Sequence, residues 1–331
     1  MVDVSIIIVN YNTKDLLKIC IDSIINNTID INYEIIVVDN ASKDGSCEML
    51  KENYIDSVKL IASKVNGGFA YANNLGIIVS KGRFVFLLNS DTIVLNNAIG
   101  KMVKYMDKNG NIGMLGPKLL NKDLSHQTSI SAFPTFKREV FHMYKLKNVL
   151  KIPLIKSFFV KFGGKLGSKD IEQYMKNFQK IDEPEEVQVL VGAALMIRSS
   201  IINKIGLLDE QYFMFYEEID LCYKAHKNNI KKVYYPKCEI IHLIGASSEK
   251  LSSITFYERY RSMILYFRKN HGKLKEIEVR INLIIALLLR VIGISVIALF
   301  KSSDILKNNR KIYLKTIKMA FDEKAIVKNR Y

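Results

Sequence analysis

Residues 34–42 read EIIVVDNAS, a run of apolar and mostly β-branched side chains that ends at Asp39. A second apolar run, Phe84–Leu88, is followed at once by Asn89-Ser90-Asp91. Short apolar runs bounded by polar residues are typical of buried parallel strands. Because the carboxyl ends of parallel strands meet at the edge where open α/β folds bind ligands, we expect these polar side chains to contribute to one site.

Segments with helical periodicity separate the strand-like runs. Between the strands Val4–Val9 and Glu34–Val38, residues Lys14–Ile25 carry apolar side chains on one helical face. The alternation continues with a strand at Val58–Ala62 and helices near Tyr71–Ser80 and Asn96–Met106. Alternating β and α segments predict a parallel sheet with right-handed crossovers.

The second half of the chain is less regular. After Pro117 the pattern weakens, and residues from Ser125 to Glu186 are basic and rich in aromatic side chains. The pattern then predicts a strand at Val187–Ile197, helices at Ser200–Ile205 and from Glu217, and a strand that begins at Val233 and precedes His242. The sequence therefore predicts a regular first half followed by an irregular insertion and a second set of elements.

The overall charge favours polyanionic partners. The 331 residues include 49 Lys and Arg against 33 Asp and Glu, which gives a formal charge of +16. Nucleotides, anionic lipid and nucleic acid all fit such a charge. Much of the excess lies between Lys137 and Lys180 and after Lys301, and this distribution favours membrane lipid or a phosphorylated acceptor.

Several classes of protein are disfavoured. The chain lacks a Gly-x-Gly-x-x-Gly segment after its first strand and a phosphate-loop Gly-Lys-Ser/Thr pattern, which argues against dehydrogenases and phosphate-loop NTPases. Its four cysteines are scattered, with no Cys-x-x-Cys pair, as expected in a reducing cytosol. The apolar run from Val4 follows Asp3 without a basic region, so we expect a first strand rather than a signal peptide.

Residues Ile281–Phe300 form an apolar stretch that is interrupted by Asn282 and Arg290. About 20 helical residues could cross the ~30 Å core of a bilayer. Arg290 near the middle would cost roughly 2.5–3.5 kcal/mol on insertion. We therefore favour a helix that lies in the membrane interface or docks there over one that spans the bilayer, and a helix buried against the main domain is a further alternative.

Asp39 and Asp91 each allow two interpretations. The carboxylate of Asp39 could accept the N3–H of a uracil or thymine ring, or Asp39 could cap the following helix. Asp91 could help to hold Mg²⁺ or Mn²⁺ beside a diphosphate, because these cations prefer oxygen ligands. Alternatively, Asp91 or Thr92 could cap the next helix.

The second half contributes acidic residues and a histidine. Glu217, Glu218 and Asp220 follow the aromatic segment Phe213–Tyr216, which could desolvate a carboxylate and tune it as a general base. Acidic residues at a helix start also complement the helix dipole. His242 follows an apolar strand and could complete a metal site, or serve as a structural residue.

Taken together, these segments resemble the family two glycosyltransferases with the GT-A fold, and most closely their bacterial rhamnosyltransferase-like branch. The resemblance implies an α/β fold of the GT-A type: a mostly parallel sheet flanked by helices, with a Rossmann-like nucleotide-binding half and a C-terminal helical extension. The matching segments are Val4–Asn12, Val37–Ser42, Asn66–Ala70 with Asn74, Leu88–Asp91, Gly192–Arg198, Gly206–Glu210, Tyr216–Cys222 and His242–Ser247.

The resemblance assigns expected roles to individual residues. The donor would be bound by Asn10, Asp39, Asn66, Asn74, Asn89, Arg198 and Arg261. Mg²⁺ or Mn²⁺ would be held by Asp91 and His242, with Asn89 where many relatives carry an Asp. Glu218 stands where relatives often have an Asp catalytic base, and Asp220 is the reserve candidate.

The implied activity is inverting transfer of a sugar from dTDP-rhamnose or a UDP-hexose to a hydroxyl of a lipid-linked or cell-surface polysaccharide acceptor. We expect a nucleotide-sugar half at residues 1–115, an acceptor and catalytic half at 116–245, and a C-terminal helical extension at 246–331 that docks on an anionic membrane surface. The cytoplasmic face of the plasma membrane is the expected location, and no nucleic acid is expected as a partner. A non-catalytic docking or scaffold protein with the same fold is the alternative.

Overall fold

The computed structural model describes residues 1–144, 181–243, 253–300 and 303–327. Ser247 and much of the segment from Ser125 to Glu186 therefore lie outside the described residues. Within them, a central sheet has the strand order β3-β2-β1-β4-β11-β6-β12-β5. The strands are β1 Val4–Asn10, β2 Tyr33–Asp39, β3 Val58–Ala62, β4 Phe84–Asn89, β5 Thr92–Val94, β6 Ile112–Leu120, β7 His126–Gln127, β8 Ile130–Ser131, β9 Glu185–Glu186, β10 Val189–Leu190, β11 Ala194–Arg198 and β12 Lys231–His242.

Helices cover both faces of the sheet and extend the C-terminal end. They are α1 Lys14–Asn27, α2 Ser46–Asn53, α3 Gly68–Ile78, α4 Ala98–Lys108, α5 Phe136–Met143, α6 Ser199–Ile205, α7 Glu217–Lys227, α8 Ser253–Phe300, α9 Asp304–Phe321 and α10 Glu323–Val327. Along β1, Ile6 and Ile8 pack in one hydrophobic cluster and Ile7 packs in another. Burial on both faces explains why this strand is continuously apolar rather than alternating.

The register of the sheet brings the predicted polar residues to one edge. β1, β2, β3 and β4 pair in parallel, with Asn10 opposite Asp39 and Val9 opposite Asn89. β11 joins antiparallel to β4, so that Ala194 lies opposite Leu88. The carboxyl ends of β1, β2 and β4 thus form the shared edge that the sequence predicts.

Three predicted elements differ in their bounds. The single strand expected at Val187–Ile197 is two strands, β10 and β11, separated at Gly192-Ala193 where the chain passes Glu218. The helix expected from Asn96 begins at Ala98, because Asn96 and Asn97 both have left-handed backbone conformations. The helix expected near Tyr71 begins earlier, at Gly68.

The C-terminal region is helical, as the sequence predicts. α8 contains a break at Gly272, whose φ of 86° lies in the left-handed region that favours glycine. The part of α8 after this break is the one described helix that is long and apolar enough to cross a membrane, and only 17% of its most apolar window is buried. Its inner side packs with α9 and α10 in a third hydrophobic cluster.

Candidate active site

Asp91 and His242 meet at the carboxyl edge of the sheet. β5 pairs antiparallel with β12, which sets His242 opposite Thr92, and the Leu243 N–H donates to the Asp91 carbonyl at 2.8 Å. Nε2 of His242 lies 3.3 Å from Oδ1 of Asp91, and both side chains are largely buried. The structure therefore brings together the two predicted metal ligands, which come from different halves of the chain.

Hydrogen bonds around His242 fix which ring nitrogen faces Asp91. The amide nitrogen of Gln127 donates to Oδ1 of Asn121 and to the His242 carbonyl, each at 2.9 Å. Oε1 of Gln127 is therefore the acceptor for Nδ1–H of His242, at 2.8 Å. In the neutral ring Nε2 then carries a lone pair on the side of Asp91, and an outer hydrogen bond of this kind is typical of metal-binding histidines.

The groups at this point suit a divalent cation that is shared with a ligand. Nδ2 of Asn89 lies 3.4 Å from Nε2 of His242, and Oδ1 of Asn89 is buried without a hydrogen-bond partner among the described residues. Within the same residues, no group of three or more His, Cys, Asp or Glu side chains could hold a metal ion. A cation bound by this pair would therefore need further oxygen ligands, such as water or diphosphate oxygens.

Asp39 belongs to a network of polar groups at the ends of β1 and β2. Its Oδ2 accepts from Nδ2 of Asn10 at 2.8 Å, and its Oδ1 accepts from the Ser42 N–H at 2.9 Å. The Thr13 hydroxyl donates to Oδ1 of Asn10 at 2.7 Å and lies 2.9 Å from the Ser90 hydroxyl. This chain of hydrogen bonds links the loop after β2 to the segment after β4.

Neither Asp39 nor Asp91 caps a helix, so the capping alternatives are wrong. α2 starts after Gly45 and α4 after Asn97, both in the left-handed conformation and without a side-chain cap. Asp39 instead braces its own turn through Ser42, and Asp91 faces His242. Both carboxylates keep lone pairs for a ligand.

The Asn66 loop connects the two halves of the chain. Oδ1 of Asn66 accepts from Nδ2 of Asn40 at 2.8 Å and from the Gly68 N–H at 3.1 Å. A Cβ on Gly68 would lie 2.2 Å from the Phe213 carbonyl oxygen, which accepts from the Phe69 N–H. This close approach requires glycine and fixes the loop against the segment that precedes α7.

Backbone strain holds two carboxylates at the start of α7. Phe215 and Tyr216 have φ values of 66° and 70°, a region that is uncommon for aromatic residues. Such conformations cost about 1–3 kcal/mol each and cluster at functional sites. They set Glu217 and Glu218 in the first turn of α7.

Both of these glutamates have altered acidity. Burial raises the pKa of Glu217 well above its ordinary value, and the neighbouring charge of Glu218 adds to the effect. Burial also raises the pKa of Glu218. In each, Oε2 is buried and has no hydrogen-bond partner among the described residues. A carboxylate with a raised pKa binds a proton more readily, as a general base must.

Gly192 allows Glu218 to lie beside the carboxyl end of β4. A Cβ on Gly192 would lie 3.2 Å from Cβ and 3.3 Å from Cγ of Glu218. The next residue, Ala193, accepts the Asn89 N–H through its carbonyl at 2.9 Å. Glu218 therefore contacts Gly192, and the residue after Gly192 is hydrogen-bonded to Asn89, which lies two residues before Asp91.

An open cavity of about 370 Å³ extends from Glu218. Its wall is formed by the first turn of α7, which carries Glu218, and by basic side chains from α5 and α8. The lining residues are Ser131, Pro134, Arg138, Glu139, His142, Phe215, Tyr216, Glu218, Ile219 and Arg259. A volume of this size is sufficient for a small ligand or for one end of a larger one.

Two predicted donor-binding residues are located away from this edge or are fully engaged. Arg198 ends β11 opposite Phe84, at the opposite end of β4, where its guanidinium donates to the carbonyls of Met106 and Ile112. Asn74 is buried and exchanges hydrogen bonds with the Leu208 backbone. We therefore leave Arg198 and Asn74 out of the proposed site.

Two further predicted residues have structural contacts instead. Asp220 is buried, its Oδ1 accepts from Nδ2 of Asn270 at 2.9 Å, and its Oδ2 lies 3.1 Å from the Lys224 ammonium; unlike Glu218, it does not line the cavity. Arg261 is 1% exposed, and its guanidinium donates to the carbonyls of Gln211 and Ala325. These contacts join α8 to the loop before α7 and to α10.

Sequence reasoning missed several residues of the site. Gln127 orients His242 from the two-residue strand β7, which is too short to produce a periodic pattern. Arg138, His142 and Arg259 reach the cavity from α5 and α8. The basic segment from Ser125 to Glu186 contains Arg138 and His142 but did not single out these positions, and it does not extend to Arg259.

Residues 5–205 match the sequence model of Glycosyl transferase family 2. The dTDP-rhamnosyl transferase RfbF of Shigella flexneri is 26% identical over 276 residues, which cover 80% of each chain. The rhamnosyltransferase WbbL of Escherichia coli K12 is 24% identical over 80% of this chain and 93% of that protein. The low-salt glycan biosynthesis hexosyltransferase Agl10 of Haloferax volcanii is 27% identical over 73% of this chain and 66% of that protein.

A solved structure supports the fold. The crystal structure of GalNAc-T7 with UDP, GalNAc and Mn²⁺ superposes with a TM-score of 0.53 at 18% identity, covering 73% of this chain and 43% of that chain. At this identity the likeness concerns the fold alone. It confirms the GT-A architecture that the sequence predicts.

Proposed function

Because the chain belongs to glycosyl transferase family 2, we propose that it transfers a sugar, with inversion at the anomeric carbon, from a nucleoside diphosphate donor to a hydroxyl of a glycan acceptor. The observation that carries this proposal is the position of Glu218. It lines a cavity, its pKa is raised by burial, and it packs against Gly192, the residue before Ala193, whose carbonyl accepts the Asn89 N–H. We propose that Glu218 removes the proton from the attacking acceptor hydroxyl.

The donor base is proposed to bind at the ends of β1 and β2. Asp39 is held rigidly by Asn10 and Ser42, and its carboxylate keeps lone pairs for the N3–H of uracil or thymine. Both bases present the same N3–H, so this contact fits dTDP-rhamnose and a UDP-hexose equally. Similarity to the dTDP-rhamnosyl transferase RfbF and to the rhamnosyltransferase WbbL favours dTDP-rhamnose as the donor of this protein. Similarity to the hexosyltransferase Agl10 favours a donor that carries a hexose.

A divalent cation is proposed to bind at Asp91 and His242, with the Asn89 side chain next to His242. When bound, such a cation neutralises the charge that develops on the departing diphosphate. The imidazole ligand makes Mn²⁺ a better match than Mg²⁺, which takes oxygen ligands. Gln127 would hold the ring with Nε2 directed to the cation.

The acceptor is proposed to be a lipid-linked or polysaccharide glycan at the cytoplasmic face of the membrane. Support comes from the part of α8 after Gly272, where one side packs on the protein and Arg290 donates to the Met143 carbonyl of α5. The opposite side exposes the apolar side chains Ile281, Ile285, Leu288, Leu289, Ile292, Val296, Ile297, Leu299 and Phe300. Because the Arg290 side chain is hydrogen-bonded to the protein, this arrangement favours a helix that docks in the membrane interface over one that spans the bilayer.

Membrane docking can be measured with vesicles that contain anionic lipid. The double variant Leu288→Gln/Ile292→Gln should sediment with them several-fold less than wild type, because it removes exposed apolar area without touching the core. Equal sedimentation of the two proteins would contradict the docking proposal. Lys108→Gln, on α4, is the control for an unrelated surface change.

Thermal denaturation with a panel of nucleotides tests the proposed activity. We expect UDP or dTDP with Mn²⁺ to raise the melting temperature, because ligands that bind only the folded state stabilise it. A chelator should remove most of this shift. If no nucleotide changed the melting temperature, the proposed function would be wrong.

A further inference from the structure

The cavity at Glu218 is lined by two arginines and a histidine, and these side chains bear on the kind of acceptor that it could receive. Its basic side chains are Arg138 and His142 on α5 and Arg259 on α8. They come from segments far apart in the sequence, so their convergence is a property of the fold. The acids that line the same cavity are Glu139 and Glu218.

The acid Glu139 is engaged by the protein itself. It is 8% exposed, and its Oε1 lies 3.7 Å from Nε of Arg138. It also accepts a hydrogen bond from the Tyr216 hydroxyl. Burial raises the pKa of Tyr216, and the charge of Glu139 and this hydrogen bond add to the effect. The charge of Glu139 is therefore balanced within the cavity wall.

The basic groups differ in how they are held. Nη2 of Arg138 donates to the Ala132 carbonyl at 2.8 Å, which fixes the orientation of its guanidinium. Arg259 is exposed, and no carboxylate of the described residues lies within salt-bridge distance of it. An oriented arginine beside an exposed one is well suited to bind phosphate oxygens.

The position of Glu218 indicates which substrate enters this cavity. If Glu218 is the base, as the proposed function requires, the molecule that contacts it must present the attacking hydroxyl. In the proposed function the donor diphosphate binds at Asp91 and His242, neither of which lines this cavity. The basic groups of the cavity are therefore left for an anion on the acceptor.

We propose that this cavity is an acceptor subsite that selects glycans carrying a phosphate or diphosphate next to the sugar that is modified. The inference rests on the proposed function, and it commits to an anionic acceptor rather than a neutral one. Arg259 is assigned as the main contact to the phosphate, with Arg138 as a second, oriented donor. Glu218 lines the same cavity, where the acceptor hydroxyl would meet it.

Calorimetric titration with two different diphosphates can test this subsite. UDP with Mn²⁺ probes the donor site, and butyl diphosphate, which lacks a base and has a chain too short to form micelles, probes the cavity. Wild-type protein saturated with UDP and Mn²⁺ should still bind butyl diphosphate. Arg259→Gln should weaken butyl diphosphate binding about tenfold, as expected for loss of a charge-assisted contact, and should leave UDP affinity within about twofold.

Two further variants sharpen the result. Arg259→Lys keeps the charge and should restore part of the affinity, whereas Lys108→Gln removes a charge from α4, outside the cavity, and should have no effect. Competition between UDP and butyl diphosphate, or an equal loss of both affinities in Arg259→Gln, would overturn the proposal and assign the basic groups to the donor. Absence of UDP binding by wild type would instead contradict the proposed function itself.

Discussion

The two halves of the site differ in whether their carboxylate oxygens have hydrogen-bond partners. At the ends of β1 and β2, both oxygens of Asp39 accept hydrogen bonds from the protein, and the surrounding turn is held through Ser42 and Thr13. At the start of α7, Glu217 and Glu218 each keep one buried oxygen without a partner among the described residues. The first region is a satisfied, rigid surface suited to recognition, and the second keeps unsatisfied groups that are suited to proton transfer.

This contrast shows which region of the site lowers the stability of the folded protein. Parallel strands and their loops satisfy the first region through regular backbone geometry. The second region is held by two left-handed aromatic residues, Phe215 and Tyr216. Strained backbone and buried acids destabilise a protein, so their combination beside a cavity indicates a functional requirement.

The largest expected effect is on sugar transfer by Glu218→Gln. Loss of a general base should lower the rate about 10²–10⁴-fold, while the affinity for UDP and Mn²⁺ stays near that of wild type. Steady-state transfer assays and nucleotide titration measure the two quantities. If Glu218→Gln transferred sugar at the wild-type rate, the carboxylates at the start of α7 would have no catalytic role and the contrast between the two regions would not hold. If wild type itself showed no transfer activity, the protein would instead be a scaffold.

The next effect concerns the orientation of His242. Gln127→Leu removes the acceptor for Nδ1–H, so the ring loses its fixed tautomer and orientation. Mn²⁺-dependent UDP binding should weaken about 10–100-fold, which is typical when an outer partner of a metal ligand is lost. Metal titration of UDP-loaded protein measures this, with UDP binding in chelator as the reference. An unchanged Mn²⁺ affinity would mean that His242 does not hold the cation.

A smaller effect is expected for Asn74→Ala, which tests the reassignment of a predicted donor residue. Asn74 pairs with the Leu208 backbone, and its loss leaves buried groups unpaired, at about 1–3 kcal/mol of folding free energy. Chemical denaturation measures that loss. KM for the donor should stay unchanged, so a large rise in KM without loss of stability would return Asn74 to the donor site.

The smallest effect is expected for Glu217→Gln, and it depends on pH. Because burial raises the pKa of Glu217 above its ordinary value of 4.5, its ionisation destabilises the folded state as the pH rises, and this cost is absent at lower pH, where the side chain is protonated both folded and unfolded. The variant should therefore melt about 2 °C or more above wild type at pH 8, with a difference that shrinks toward pH 4. Calorimetry over this range measures it, and Glu278→Gln, in an exposed ion pair, is the control. A variant less stable than wild type at pH 8 would show that the carboxylate is not penalised by burial.

The regions also differ in how far the sequence predicted them. Asp39 and Asp91 follow short apolar runs, and the length and apolar composition of those runs predict both the strands and the shared edge. Glu218 was predicted from its aromatic neighbours and the family resemblance, but its contact with Gly192 depends on where two loops pass each other. Local pattern carries no information about such a contact.

The wrong assignments have the same origin. Arg198 lies in a motif near the end of a strand, but β11 runs antiparallel to β4, so that end lies at the opposite edge of the sheet. Arg261 was expected near the diphosphate, yet its guanidinium is buried and donates to backbone carbonyls of the loop before α7 and of α10. Strand direction and burial are tertiary properties, and the residue types alone do not report them.

The most direct test of the central claim is a crystal structure of the protein with Mn²⁺ and UDP. The account predicts that the cation contacts Asp91 and His242, that the base lies at Asp39, and that the Glu218 carboxylate faces the diphosphate from the side of the basic cavity. A nucleotide bound elsewhere, or a cation that touches neither Asp91 nor His242, would contradict the claim that the two halves form one active site.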